Sequence, residues 1–247
     1  MPRRPVGAPA AVPFYRQTMD FSCGPACAAM VLRHFGKVGP LTRDLEVELW
    51  RETHAVEVGG ADRFGLSIPF ALRGLSPHII SDCRGEGFLW YARRYLKLDR
   101  RALRFFRVMQ QRRASQLGVT QERRPPTLAD LFAALHAGSV PIALVSTKIF
   151  VGPHEDIPHW VVITGVRQEL LSVHNPLDPP ARGHRTLAFS ELFQTSSDFR
   201  ERTVVVVGTT ARPRSLRVPA PPLPRGYLPY EYELRETGQP SRRRRRK

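Results

Sequence analysis

Two spacings of hydrophobic positions run along this chain, helical in its first half and strand-like in its second. From Cys23 to Phe35 apolar residues recur at helical spacing (Ala26, Met30, Val31) and Gly36 stops the run, which predicts a first helix. Thr42 to Thr53 predicts a second, with Thr42 as N-cap and Leu45, Leu49 and Trp50 facing inward. A Gly-rich loop from Val58 to Asp62 leads to a third helix, Phe64 to Arg73, ended by Gly74; Pro13 to Thr18 and Pro77 to Ser81 read as extended. A further helix, Thr127 to Ala137, has Thr127 as its N-cap and Gly138 as its stop. Four runs rich in β-branched residues follow: Val140–Ser146, His159–Val166, Leu170–Pro176 and Thr203–Thr210, with a short helix at Phe189–Phe193. Helices first and mostly antiparallel strands afterwards make an α+β fold.

Residues 85–125 break this plan. The stretch WYARRYLKLDRRALRFFRVMQQRRASQLG is basic and amphipathic, and it reads as a helical insertion, a hairpin beside the core or a cap over a cleft. The end of the chain differs again. Residues 211–247 are Pro-rich and carry eleven Lys/Arg against three Glu, a net of +8, half of the +16 of the whole chain. Such a segment buries too little apolar surface to offset its ordering entropy and is expected to be disordered, leaving residues 1–210 as one domain. Arg242 to Lys247 would attract polyanions weakly, through counterion release. Only four of the 38 basic residues are Lys, so the excess is an arginine bias as much as a binding signal.

Composition excludes several classes. With 42% hydrophobic, 24% charged and 9% aromatic residues the chain is neither a disordered protein nor a coiled coil. Three cysteines cannot build a disulfide framework and point to a reducing, cytoplasmic setting. No apolar run reaches the ~18 residues of a membrane span.

Three short segments carry candidate chemistry. In QTMDFSCGPACAAM, Cys23 begins a helix and is followed by Gly24-Pro25, where a proline costs nothing. A thiol at a helix start faces unpaired N–H groups and the positive dipole end, which favour thiolate. Gln17, six residues upstream, offers an amide N–H to a developing oxyanion. In HWVVITGV, His159 stands at a strand end, a place for a fixed base. In SVHNPLDP, Asn175 ends the next strand, where a carboxamide would set the ring orientation of His159. Asp178, also before a proline, is the alternative third member. Cys27, one turn after Cys23, reads as a small core residue, and no second pair completes a zinc site with it; Cys83 reads as a loop thiol. His174 should point away from the face that Asn175 uses, by strand alternation.

Taken together, these segments resemble the papain-like cysteine peptidases that cut bacteriocin leaders after a double glycine, and especially their stand-alone relatives. The resemblance covers roughly residues 12 to 210 and rests on PFYRQTMDFSCGPACAAMVLRHFG, GGADRFGLSIPFALRG, AGSVPIALVS, and HWVVITGV followed by VHNP. It implies a papain-like fold, Cys23 as nucleophile, His159 as base, Asn175 as the orienting third member and Gln17 as oxyanion donor, with no cofactor and no metal. The family usually has Asp-Pro where this chain has Asn-Pro. The implied activity is hydrolysis of a peptide or other amide bond through a thioester, acting on a peptide or protein substrate. Acyl transfer to an amine uses the same groups. A catalytically silent peptide-binding domain and a basic adaptor that binds nucleic acid through its tail are the alternatives from other classes.

Overall fold

The computed structural model describes residues 11–53, 60–83, 100–152, 154–194, 201–210 and 216–222. Three helices come first: α1 (Cys23–His34), α2 (Arg43–Thr53) and α3 (Arg63–Leu72). Then follow β1 (Ser76–Ser81), α4 (Arg100–Gln116), β2 (Thr120–Glu122), α5 (Leu128–His136), β3 (Val140–Ser146), α6 (Lys148–Val151), β4 (Pro158–Arg167) and β5 (Leu170–His174). A 3-10 turn (Pro180–Arg182), β6 (Arg185–Ala188), α7 (Phe189–Gln194) and β7 (Thr203–Gly208) complete the order.

The strands form one sheet in the order β2-β1-β7-β3-β4-β5-β6. Every pairing is antiparallel except β1 with β2. The central strands VPIALVS and TVVVVG are apolar without interruption because both sheet faces are covered. Ile142, Leu144, Trp160, Val162, Val205 and Val207 pack with α1, α2 and α3. Their neighbours Ala143, Val145, Val161, Ile163, Val204 and Val206 pack on the other face with Leu131 of α5 and Leu192 of α7. The α+β plan read from the sequence is therefore the fold: helices packed on a mostly antiparallel sheet.

Local chemistry sets the helix starts. Asp62 accepts from Gly65 N at 2.7 Å ahead of α3, and Thr127 with Asp130 forms a capping box ahead of α5. Two expectations are corrected. The 85–125 stretch is not wholly helical, because Thr120–Glu122 is a strand that pairs parallel with β1. Trp90, Tyr91, Leu96 and Leu98 of that stretch lie outside the described residues. The disordered reading of the tail fails for residues 216–222. There Val218 is buried, its N–H donates to Val119 O, and Arg217 bridges to Thr120. Gln111 and Arg112 of α4 donate to the carbonyls of Pro219 and Pro221. Arg242 to Lys247 lie outside the described residues. Among the described residues no helix is long and apolar enough to cross a membrane.

The close approach of α2 to α3 depends on one missing side chain. A Cβ on Gly65 would sit 2.0 Å from the Thr53 carbonyl oxygen, whereas one on Gly39 would meet nothing within 4 Å. Gly65→Ala is therefore expected to cost about 2 kcal/mol or more, and Gly39→Ala less than about 0.5 kcal/mol. Urea midpoints of the two variants check this; equal midpoints would contradict the tight crossing.

Candidate active site

Cys23 is the first residue of α1 and is 8% exposed. Gly24 lets this helix start lie against its surroundings: a Cβ there would be 3.1 Å from Ala61 Cβ and 3.4 Å from the Trp160 ring. Trp160 in turn donates its indole N–H to Ala61 O at 2.9 Å, fixing β4 against the start of α3. The Cys23 sulfur consequently sits within hydrogen-bonding reach of the Trp160 main chain, next to His159 in sequence. Cys27 lies one turn further along α1, wholly buried, with its thiol donating to Trp160 O at 3.3 Å. Cys83, also buried, follows β1.

His159 is 3% exposed near the start of β4, and its Nε2 lies 2.8 Å from Asn175 Oδ1. Asn175, fully buried, follows the last residue of β5, so the β4–β5 pairing brings the two together. The edge of Phe150 braces the imidazole, with ring centroids 6.0 Å apart at 77°. Asp178 does not bond the imidazole; it accepts from Asn175 Nδ2 at 3.2 Å and from Arg185. His174 turns elsewhere, as alternation requires: it bonds Val12 O at 3.0 Å and stacks on His184.

Gln17 joins the same region through its main chain, donating to Pro176 O at 3.0 Å. Its side-chain Nε2 donates to Met19 O at 2.8 Å, while Oε1 is buried with no hydrogen-bond partner. An amide nitrogen carries two hydrogens, so one remains for another acceptor. A recess of about 470 Å³ opens here, lined by Arg16, Gln17, Thr18, Met19, Asp20 and Leu177.

Burial dominates the proton affinities. It pushes the Cys23 thiol up to about 11, against hydrogen bonds from the main chain of Trp160, Gly24 and Cys23 itself. It pulls His159 down to about 4, against the Asn175 bond and the Asp178 charge. The helix tip was expected to favour thiolate. In this closed site desolvation outweighs it, and thiol and imidazole rest neutral.

One residue that positions this site was not anticipated. Glu46 is charged, yet fully buried on α2, and it gathers the segment that carries Gln17. Its carboxylate accepts from Tyr15 OH (3.0 Å), Thr18 N (3.0 Å), Thr18 Oγ1 (2.6 Å) and Ser22 Oγ (2.5 Å). Burial, and then the Glu46 charge, hold the Tyr15 phenol well above its ordinary value. The signal was present: Glu46, Leu49 and Thr53 form one inward stripe at helical spacing, and all three are buried. Among the described residues no group of three or more His, Cys, Asp or Glu is placed to hold a metal ion.

A family model described as the Peptidase_C39 like family matches residues 12–206, and the chain belongs to that family. Among solved structures it is similar to the peptidase domain of Streptococcus ComA, a bifunctional ABC transporter of a quorum-sensing pathway. That match has 13% identity, covers 81% of this chain and 99% of the other, and has a TM-score of 0.42. A double-glycine-motif protease from an AMS/PCAT transporter, solved with its leader peptide, gives 14%, 82%, 94% and 0.39 in the same order. A C39-like peptidase from Bacillus anthracis gives 13%, 80%, 94% and 0.40. The comparison with curated proteins returns no match. Membership of this family fits a cysteine-peptidase or a peptide-binding role.

The Glu46 carboxylate gives a direct test of how the Gln17 segment is held. Glu46→Ala removes the acceptor shared by Tyr15, Thr18 and Ser22 and is expected to cost about 2 kcal/mol, with Glu46→Gln intermediate. Thermal denaturation of the two variants measures it; an unchanged midpoint in Glu46→Ala would contradict the anchoring role.

Proposed function

We propose that the protein is a cysteine-type peptidase or amide hydrolase in which Cys23 attacks a carbonyl, His159 moves the proton and Asn175 holds the ring. The observation that carries this reading is the buried bond from His159 Nε2 to Asn175 Oδ1 at 2.8 Å, on a strand whose next residue touches the Cys23 sulfur through its main chain. With Nε2 engaged by Asn175, Nδ1 is the nitrogen left for the thiol.

The steps follow from the resting protonation. Neutral His159 accepts the Cys23 proton as the sulfur bonds the carbonyl carbon, and the carbonyl oxygen becomes an oxyanion. The Cys23 main-chain N–H and the second hydrogen of Gln17 Nε2 stabilise that charge. His159 then gives its proton to the departing amine, leaving a thioester that water hydrolyses. The recess beside Gln17 and Leu177 offers room for one side of the substrate. A peptide substrate fits the family, and the three free, buried cysteines fit work in a reducing cytoplasm.

A second reading is a peptide-binding domain without turnover. It is favoured by the deep burial of Cys23 and by the engagement of Gln17 Nε2 on Met19 O.

The pH dependence of Cys23 alkylation by iodoacetamide separates the two. In a coupled thiol–imidazole pair the imidazole takes the thiol proton, and the population of that ion pair does not change with pH between the pair's two titrations. Reactivity is then flat within about twofold from pH 6 to 9 and is lost only as His159 protonates towards pH 4. A lone buried thiol gains about tenfold per pH unit across that range. His159→Gln is expected to convert the first profile into the second, and a sloping profile in the wild type would refute the pair. With a cleaved peptide in hand, Gln17→Ala should lower kcat by ~10²–10³ with KM nearly unchanged. An equal rise in KM instead would assign Gln17 to substrate binding.

A further inference from the structure

We infer that Asp178 and Arg185 are positioning residues that fix the tautomer of His159 by fixing which way round the Asn175 amide lies. The consequence for catalysis rests on His159 being the base, but the geometry does not.

A carboxamide is nearly symmetric in shape, so rotation by half a turn exchanges its acceptor and donor ends at little steric cost. Two neighbours of opposite character remove that freedom here. The Leu177 main-chain N–H can only donate, and it lies 3.1 Å from Asn175 Oδ1. The Asp178 carboxylate can only accept, and its Oδ1 lies 3.2 Å from Asn175 Nδ2. Reversing the amide would set oxygen against oxygen and N–H against N–H, with Asn175 fully buried and Asp178 2% exposed. The carbonyl end therefore faces His159 Nε2, and that nitrogen must carry a hydrogen. Neutral imidazole then keeps its lone pair on Nδ1, the atom required to take the Cys23 proton.

The charge that enforces this is itself held from behind. Arg185 Nε reaches Asp178 Oδ2 and Arg185 Nη2 reaches Asp178 Oδ1, both at 2.6 Å, a bidentate pair. The more exposed Arg182 adds a longer contact at 3.7 Å. The Asp178 N–H donates to Asn175 O at 2.9 Å, so the turn that carries the carboxylate starts at the residue it orients. The Arg185 guanidinium lies 5.0 Å over the centroid of Phe150, and Phe150 meets the His159 ring edge-on. The contacts close a circuit: His159, Asn175, Asp178, Arg185, Phe150 and back to His159.

Imidazole nitrogen NMR on the full-length chain, with ¹⁵N-labelled histidine, tests this at pH 7; the His159→Gln difference spectrum identifies the signal. Wild type should show His159 protonated at Nε2 in more than about 90% of molecules. In Asp178→Asn, Arg185 claims the new carbonyl, and the new NH₂ faces Asn175. Position 178 then favours the reversed Asn175 amide while the Leu177 N–H still favours the original one, and about half of His159 should carry its hydrogen on Nδ1. Cys23 alkylation at pH 6 should fall in step, by at least about twofold. Arg185→Lys keeps a cation on Asp178 and should retain the wild-type tautomer. If Asp178→Asn does not fold, the double variant Asp178→Leu/Arg185→Met, which replaces the ion pair by apolar groups, decides. It should fold and show both tautomers. A wild-type signal from Nδ1–H, or an undivided Nε2–H signal in whichever variant folds, overturns the inference. A sloping alkylation profile with the tautomer shift intact would remove the hydrolase reading and leave this one standing.

Discussion

The bond between His159 and Asn175 joins two strand ends, and the rest of the site is tied to the loop that follows. Asn175 begins the turn that places Asp178 and offers the Pro176 carbonyl to Gln17 N. His159 precedes Trp160, whose main chain touches the Cys23 sulfur and whose indole N–H holds Ala61. One 2.8 Å contact therefore links α1, β4 and the segment that carries Gln17. Displacing it would loosen three elements from one another, with buried polar groups left facing apolar surroundings.

Dryness is the second organising fact. Cys23, His159, Asn175, Asp178 and Glu46 are all buried, and each polar member has partners fixed by geometry. In such a medium separated charges are costly, so the thiol and imidazole rest neutral and the carboxylates are used at one remove. Asp178 is engaged by Arg185, and Glu46 by hydroxyls and a main-chain N–H. Neither carboxylate bonds the imidazole. Charge acts on this site through the orientation of neutral groups, the Asn175 amide among them.

Much of this was legible in the chain. The strands β3, β4 and β7 announce themselves as mostly apolar runs rich in β-branched residues, because a strand covered on both faces has no polar side to show. The short edge strands escaped: Thr120–Glu122 is three polar residues, and Arg185–Ala188 is mostly half-buried, so neither carries a period. Cys23, His159 and Asn175 were visible through the segments QTMDFSCGPACAAM, HWVVITGV and SVHNPLDP, where a helix start and two strand ends carry chemistry-bearing residues. Glu46 was passed over because a charged residue in a helix is normally read as solvent-facing, although it lies on the apolar stripe. The Arg185–Asp178 pair and the bracing by Phe150 depend on tertiary proximity and leave no local mark. The helix tip and an imidazole suggest an acidic thiol, and burial, which the sequence does not quantify, reverses the sign.

The most direct test of the account is whether Cys23 carries an acyl group during turnover. The full-length chain, mixed briefly with an activated peptide ester, quenched in acid and digested, should yield one acyl adduct on the peptide that contains Cys23. That adduct should be absent from Cys23→Ala and strongly reduced in His159→Gln. Acylation spread over Cys27 and Cys83, or none at all in the folded chain, would contradict it.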